Sequence, residues 1–426
     1  MHSKQQLCGP LSHTNSRAAT VALAAAIVLV LTVVVAQAVQ AQTYQVLYNF
    51  TGGLDGAYPE AGLTMDGAGN LYGTAYQGGS MNRGTVYKLG HRGTGWVLSP
   101  LYNFRGQTDG GAPIAGVVFG PNGTLYGTTE FAGQLCGEGC GVVFNVRPPV
   151  SICRSTICPW TETVIYSFRG DTDGANPGYG NLTFDHAGNI YGTTYFGGNN
   201  AEGVVYKLAP SNGSWTESAI HTFSGTSDGE NPYSSVIFDA AGNLYGTTFA
   251  GGAHGYGTVF QLTPNGSNWT ENTLYAFQSA NNGGKPFGGV VFDTAGNLYG
   301  ATSSGGTNSG GTAYELMPSS GSWTFDLLYS FTGTAFLPGS YGSLTKDAAG
   351  NFYGTTVKDG ANGVGSVFKL TPSNGGWTET DLYDFAGGAG GEIPYGSVLV
   401  DASGNLYGTA SAAGANGYGV IWEITP

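Results

Sequence analysis

From residue 44 onward the apolar positions fall in short runs, rich in β-branched and aromatic residues and separated by Gly-rich turns. Such runs read as strands. The stretch around residue 245 shows the order. Ser235-Val236-Ile237-Phe238 forms a short strand A, and Asp239-Ala240-Ala241-Gly242-Asn243 turns into strand B, Leu244-Tyr245-Gly246-Thr247-Thr248. The turn glycine suits the left-handed position of a hairpin loop. A Gly-rich loop then reaches strand C, Gly257-Thr258-Val259-Phe260-Gln261-Leu262, and Thr263-Pro264-Asn265-Gly266 turns again. Strand D runs from Trp269 to Phe277. No helical period runs through this part of the chain.

The four-strand unit recurs. The strand-B tyrosine stands at 72, 126, 191, 245, 299, 353 and 407, so every step is 54 residues except one of 65. A fixed period of about 50 residues signals a propeller or a solenoid. The last repeat stops after strand C, Gly419 to Pro426, and lacks a strand D. The missing strand stands at the other end, where Leu47-Tyr48-Asn49-Phe50 matches Leu101-Tyr102-Asn103-Phe104 and Leu382-Tyr383-Asp384-Phe385. A first strand that completes the seventh blade removes the open sheet edge. The pattern therefore predicts an all-β, seven-bladed β-propeller of four-stranded antiparallel blades over 42–426, with an open β-solenoid as the rival.

Asp-Ala-Ala-Gly-Asn-Leu-Tyr-Gly-Thr-Thr, Gly-x-Gly-Thr-Val-Phe and Trp-Thr-Glu recur in fixed order, and in these motifs the chain resembles the GloVer (Gloeo-Verruco) tandem repeat family over about 44–426. The resemblance implies an exported bacterial protein. Many relatives carry a C-terminal sorting anchor, whereas this sequence ends at Ile424-Thr425-Pro426 without such a tail. The family supplies no established activity or catalytic residues to carry over.

Composition narrows the partners. Lys and Arg number 14 against 27 Asp and Glu, a net charge of −13, and the basic residues are scattered. A nucleic-acid partner, which calls for a basic patch, is not expected. Residues 1–41 read as a secretory signal peptide: Lys4 and Arg17 precede the uncharged run Ala18 to Ala36, and small residues follow at Ala38 and Ala41. The same 19-residue run would meet a membrane if it stayed uncleaved. Cys136, Cys140, Cys153 and Cys158 lie in the one long step, an insertion at about 133–158. In an exported chain they read as two disulfides, with three pairings open, and zinc is the rival reading.

Candidate binding residues follow from the repeat alignment. The D–A and B–C loops share one face and are the longer, more varied set. At the entrance of strand A the seven occupants are Glu60, Ile114, Tyr179, Tyr233, Phe287, Tyr341 and Tyr395. The start of the B–C loop adds Tyr76, Glu130, Tyr195 and Phe249. Aromatic faces with a few polar groups suit a sugar ring. The competing reading is that these rings pack against one another and plug the channel. Asp55, Asp109, Asp173 and Asp228, each followed by Gly, read as turn formers before calcium ligands. Asp185, Asp239, Asp293, Asp347 and Asp401 open the A–B hairpins, and Trp96, Trp160, Trp215, Trp269, Trp323 and Trp377 read as wedges between blades.

No catalytic or nucleotide-binding fingerprint appears, and no cofactor is expected. Glu60 and Glu130 come from adjacent repeats and could share a rim, as a glycosidase would need. The sequence thus points to a secreted or cell-surface, non-catalytic propeller that binds a glycan or envelope component at the channel mouth. The alternatives are a self-associating subunit of an extracellular layer or filament, and a polysaccharide hydrolase or lyase.

Overall fold

The computed structural model describes residues 42–133, 139–149, 160–333 and 339–426. Residues 1–41, for which the sequence suggests a signal peptide, and Cys136, Cys153 and Cys158 lie outside the described residues. The blades lie in one compact unit, Tyr44–Thr425. It is a seven-bladed β-propeller, a ring of four-stranded antiparallel sheets.

The fourth blade shows the local logic. Its strands are Ile237–Phe238, Leu244–Thr248, Thr258–Asn265 and Asn268–Ala276. Strand A is half the expected length. The backbone N–H of Asn181 and the hydroxyl of Thr183, both in the preceding blade, bond to the Ser235 hydroxyl and the Val236 carbonyl, so these two residues face a neighbour and not their own ladder. Strand C is longer than expected and runs through Pro264, which stands opposite Trp269 where the sequence suggested a turn. Strand B ends its pairing at Leu244 and Leu262. Pro264 therefore has no partner on that side, and its missing N–H breaks no ladder bond.

Each hairpin aspartate is a cap. Asp239 accepts the backbone N–H groups of Ala241 and Asn243, the Asn243 amide and the Tyr245 hydroxyl, at 2.7–3.0 Å. Burial pulls its carboxyl upward, but these hydrogen bonds outweigh it and hold the group below the ordinary aspartate value.

Strand B is buried along its whole length because a blade packs on each of its faces. Gly246 makes room within the blade: a Cβ there would sit 2.6 Å from Phe260 of strand C. The Phe260 ring then meets Phe223 of the preceding blade at 5.2 Å. The same edge contact recurs around the ring, through Phe104–Phe144, Phe168–Tyr206, Phe277–Tyr314 and Phe385–Trp422. Trp269 leans on Tyr191 of the preceding blade at 6.3 Å, a wedge as its repetition suggested. Threonines stitch the inner rim: Thr193 and Thr247 donate to the carbonyls of Ser234 and Gly288 in the next blade.

The first strand closes the ring. Thr43–Asn49 lies beside Val420–Thr425 as the outer strand of the last blade. The Phe50 N–H donates to the Gly419 carbonyl at 3.1 Å, and the fully buried Phe50 ring meets Tyr87 at 5.2 Å.

Candidate functional site

The site sits where the D–A loops enter strand A. In six blades the residue before a proline there adopts positive φ: Tyr58, Ala112, Asn176, Asn231, Lys285 and Ile393, at 54–59°. Such backbone costs about 1–3 kcal/mol per residue and must be held by its surroundings. The N–H of each residue reaches back to the preceding blade, as Tyr58 does to Tyr418 at 3.0 Å and Asn231 to Glu202 at 2.9 Å. The following proline fills a space that only glycine leaves open: a Cβ on Gly257 would lie 2.9 Å from Pro286. Two residues further on (three in the third blade) come the rim positions, so their placement is fixed by the seams between blades.

The rim is asymmetric. On one side the rings pack on each other. Tyr233 and Phe287 stack at 4.8 Å with 9° between planes, Phe287 and Tyr341 at 4.2 Å, and Tyr341 meets Tyr395 at 5.2 Å. Phe249 closes on Tyr233 and Phe287 at 5.3 and 4.8 Å, and Lys285 Nζ stands 5.3 Å over the Phe249 ring. Tyr179 reaches across to Phe287 at 5.4 Å yet stays 39% exposed. On this side the ring faces pack on each other.

The other side is acidic and phenolic. Glu130 is 6% exposed, and its Oε1 accepts the Tyr195 hydroxyl. The Asn176 amide holds its backbone carbonyl at 3.0 Å. Burial pushes the Glu130 carboxyl up, and the Tyr195 hydrogen bond pulls against that. Glu60 is pushed up to about 7, first by burial and then by the charge of Glu130. Burial and these two carboxylates also raise the phenols of Tyr76 and Tyr179. The structure thus brings Glu60, Tyr76, Glu130, Tyr179 and Tyr195 into one electrostatic cluster, with Tyr395 at its edge.

Two hollows adjoin it. A channel cavity of about 290 Å³ is walled by Glu60, Tyr179, Phe287, Tyr341 and Tyr395 over a lining of small residues such as Gly62 and Ser235. A groove of about 720 Å³ between the first two blades is lined by Tyr76, Gln77, Met81, Asn82, Arg83 and Phe131. Tyr76 lines the groove, and the charges of Glu130 and Glu60 reach its phenol. The alignment missed Met81, Arg83 and Phe131, although Arg83 is the only cation at its position in the seven repeats.

The Asp-Gly loops are committed elsewhere. Asp109 accepts the Tyr102 hydroxyl at 2.8 Å and the Arg105 N–H at 3.0 Å, and Asp55 does the same with Tyr48 and Thr51. Among the described residues no group of three or more His, Cys, Asp or Glu is arranged to hold a metal ion.

The repeat profile described as Gloeobacter/Verrucomicrobia repeat matches residues 32–158, 151–341 and 327–426. No curated protein matches. Among solved structures, a candidate 6-phosphogluconolactonase from Bacteroides uniformis is 15% identical, with a TM-score of 0.50 over 84% of this chain and 98% of that one. A polysaccharide lyase, an ulvan lyase bound to -[GlcA(1-4)Rha3S]-, is 11% identical, with a TM-score of 0.50 over 86% and 94%. A protein of unknown function from Dyadobacter fermentans is 11% identical, with a TM-score of 0.45 over 91% and 99%. At these identities the likeness is one of fold.

Proposed function

The chain belongs to the Gloeobacter/Verrucomicrobia repeat family, and on that premise we propose an exported propeller that binds a glycan of the cell envelope or surroundings without transforming it. The groove between the first two blades carries this reading. It offers two aromatic side chains, Tyr76 and Phe131, two amides, Gln77 and Asn82, and an arginine, in a volume suited to a few sugar units. The net charge of −13 weighs against a polyanion. Export through residues 1–41 and disulfides in the cysteine insertion belong to the same proposal.

The test is a thermal-shift screen of the protein against neutral, basic and acidic polysaccharides, beside Tyr76→Ala and Phe131→Ala. A polymer that raises the midpoint of the native protein, and not of the folded variants, supports the reading. No shift across the panel moves the assignment to a structural subunit.

One observation favours a second reading, a hydrolase or lyase. Burial and the charge of Glu130 push the Glu60 carboxyl up to about 7, the direction a general acid requires. Turnover of a bound polymer that Glu60→Gln abolishes would establish it.

A further inference from the structure

We propose that the groove between the third and fourth blades, on the face of the short hairpins, is a second binding site, one that takes a neutral, flat, β-linked sugar chain. It is built from other residues than the groove of the first two blades and does not depend on it.

The groove encloses about 900 Å³ between the A–B hairpins at Asp185 and Asp239 and the C–D turn at Gly266 and Ser267. That is a ligand-sized space. Tyr191, Ile220, Phe238 and Trp269 line it, together with Lys207 and Ser218. Phe238 meets the Tyr191 ring edge-on at 5.0 Å and Trp269 meets it at 6.3 Å, so the seam fixes the aromatic wall. Trp269 is only half-buried, which leaves part of the wedge to the groove.

Lys207 sets this seam apart. At the same strand-C position Asn145 bonds Thr124 and the Leu125 carbonyl, Gln261 bonds the Tyr245 hydroxyl, and Glu315 accepts the Tyr299 hydroxyl. Those polar heads are engaged by their own blades. Lys207 Nζ instead stands 5.6 Å over the Tyr191 ring, with no hydrogen-bond or ion-pair partner among the described residues. Lys88 and Lys369 take the same place over Tyr72 and Tyr353. The outer strand of the seventh blade, however, carries no tryptophan, and the turn before Trp160 lies outside the described residues.

The neighbouring acids are already occupied. Asp185 and Asp239 each accept four hydrogen bonds from their own hairpins, which fills a carboxylate. Burial lifts both carboxyls, but these bonds outweigh it and keep them ionised. A carboxylate or sulfate would therefore meet two negative charges against one ammonium. A cation would meet Lys207 and find no free acceptor. A neutral sugar satisfies the walls. In a β-linked glucose chain the hydroxyls lie near the ring plane and the faces are C–H, so a ring can rest on Trp269 while a hydroxyl accepts from the Lys207 ammonium.

The test is calorimetric titration of the protein with cellotetraose, with its counterpart oxidised to glucuronate, and with a glucosamine tetramer. The neutral tetramer should bind at least about tenfold tighter than either charged one. Lys207→Met keeps the stem over Tyr191 but removes the donor, and should weaken binding by about fivefold or more. Trp269→Ala should abolish it. Because that change also removes a wedge, Ser218→Trp is the second variant: Ser218 is exposed and pairs across the strands with Lys207, so a bulky ring there fills the groove without entering the seam. It too should abolish binding, whereas Tyr76→Ala should leave it unchanged. A tetramer that binds Ser218→Trp as well as the native protein overturns the second site. So does a charged tetramer that binds as tightly as the neutral one. Loss of binding in Tyr76→Ala alone assigns the sugar to the groove of the first two blades and overturns this site. No binding of any tetramer overturns it as well, and leaves that other groove to its own screen.

Discussion

The Thr409 hydroxyl donates to the Ala61 carbonyl at 2.8 Å, joining the last blade to the first across 348 residues of sequence. Thr74 makes the same bond to Ala115 at 2.8 Å, 41 residues on. The seam where the ring closes is therefore built from the same parts as the seams within the chain. The rim residues depend on all of them, because every rim position hangs from a loop bonded to the blade before it.

Phe50 is the first consequence. It is fully buried and fills the closing seam as Phe104 fills the next. Phe50→Ala and Phe104→Ala should each cost about 3–5 kcal/mol, the usual penalty for a deleted core ring. Denaturant unfolding would check this. A much smaller cost for Phe50→Ala would mean that the ring does not need its first strand.

Gly365 tests the contact between blades. Its φ is 108°, and a Cβ would lie 2.5 Å from Pro394. Gly365→Ala should lose about 1–3 kcal/mol from backbone strain alone, with the steric overlap added to that. Gly67, with open space around it, is the control, and Gly67→Ala should stay within about 0.5 kcal/mol of the native protein.

Asp239 holds a hairpin with four hydrogen bonds. Asp239→Ala should cost about 1–2 kcal/mol. Its folded carboxyl is held low, so its contribution is present above the unfolded value of 3.8 and fades as pH falls through the lower folded one. The gap between native and variant melting midpoints should thus close in acid.

Much of this was legible in the sequence because it repeats. A residue used once per blade, such as Tyr245 or Trp269, announces its packing role by recurring, and the offset of Tyr44 to Phe50 announced the closure. What did not repeat was harder. Spacing placed Tyr233, Phe287 and Tyr341 at equivalent positions, but that their rings stack is a matter of side-chain geometry between blades, which spacing does not carry. The lengths of strands A and C depended on where Val236 and Pro264 send their backbone groups, which is a question about neighbours. The groove at Met81 and Phe131 is made by two loops that pair no strands. Glu60 and Glu130, by contrast, stood out as the two acids among aromatic positions.

Glu60 also makes the pH dependence specific. Burial first, and then Glu130, lift its folded pKa from 4.5 to about 7. Between those values the folded protein binds a proton that the unfolded chain has released. Stability must then fall as pH rises through that window and level off above it. Glu162, Glu217 and Glu379, also lifted to about 7 chiefly by burial, push in the same direction, so one substitution removes only part of the slope. Glu60→Gln should match the native melting midpoint near pH 5 and exceed it near pH 8. The groups facing this carboxyl are Glu130, Tyr76, Tyr179 and Tyr395, and the phenols stay neutral over the range because each is raised further. Midpoints of the two proteins that run parallel from pH 5 to 8 would show that Glu60 is solvated, and would remove the basis for an acid–base role at the mouth.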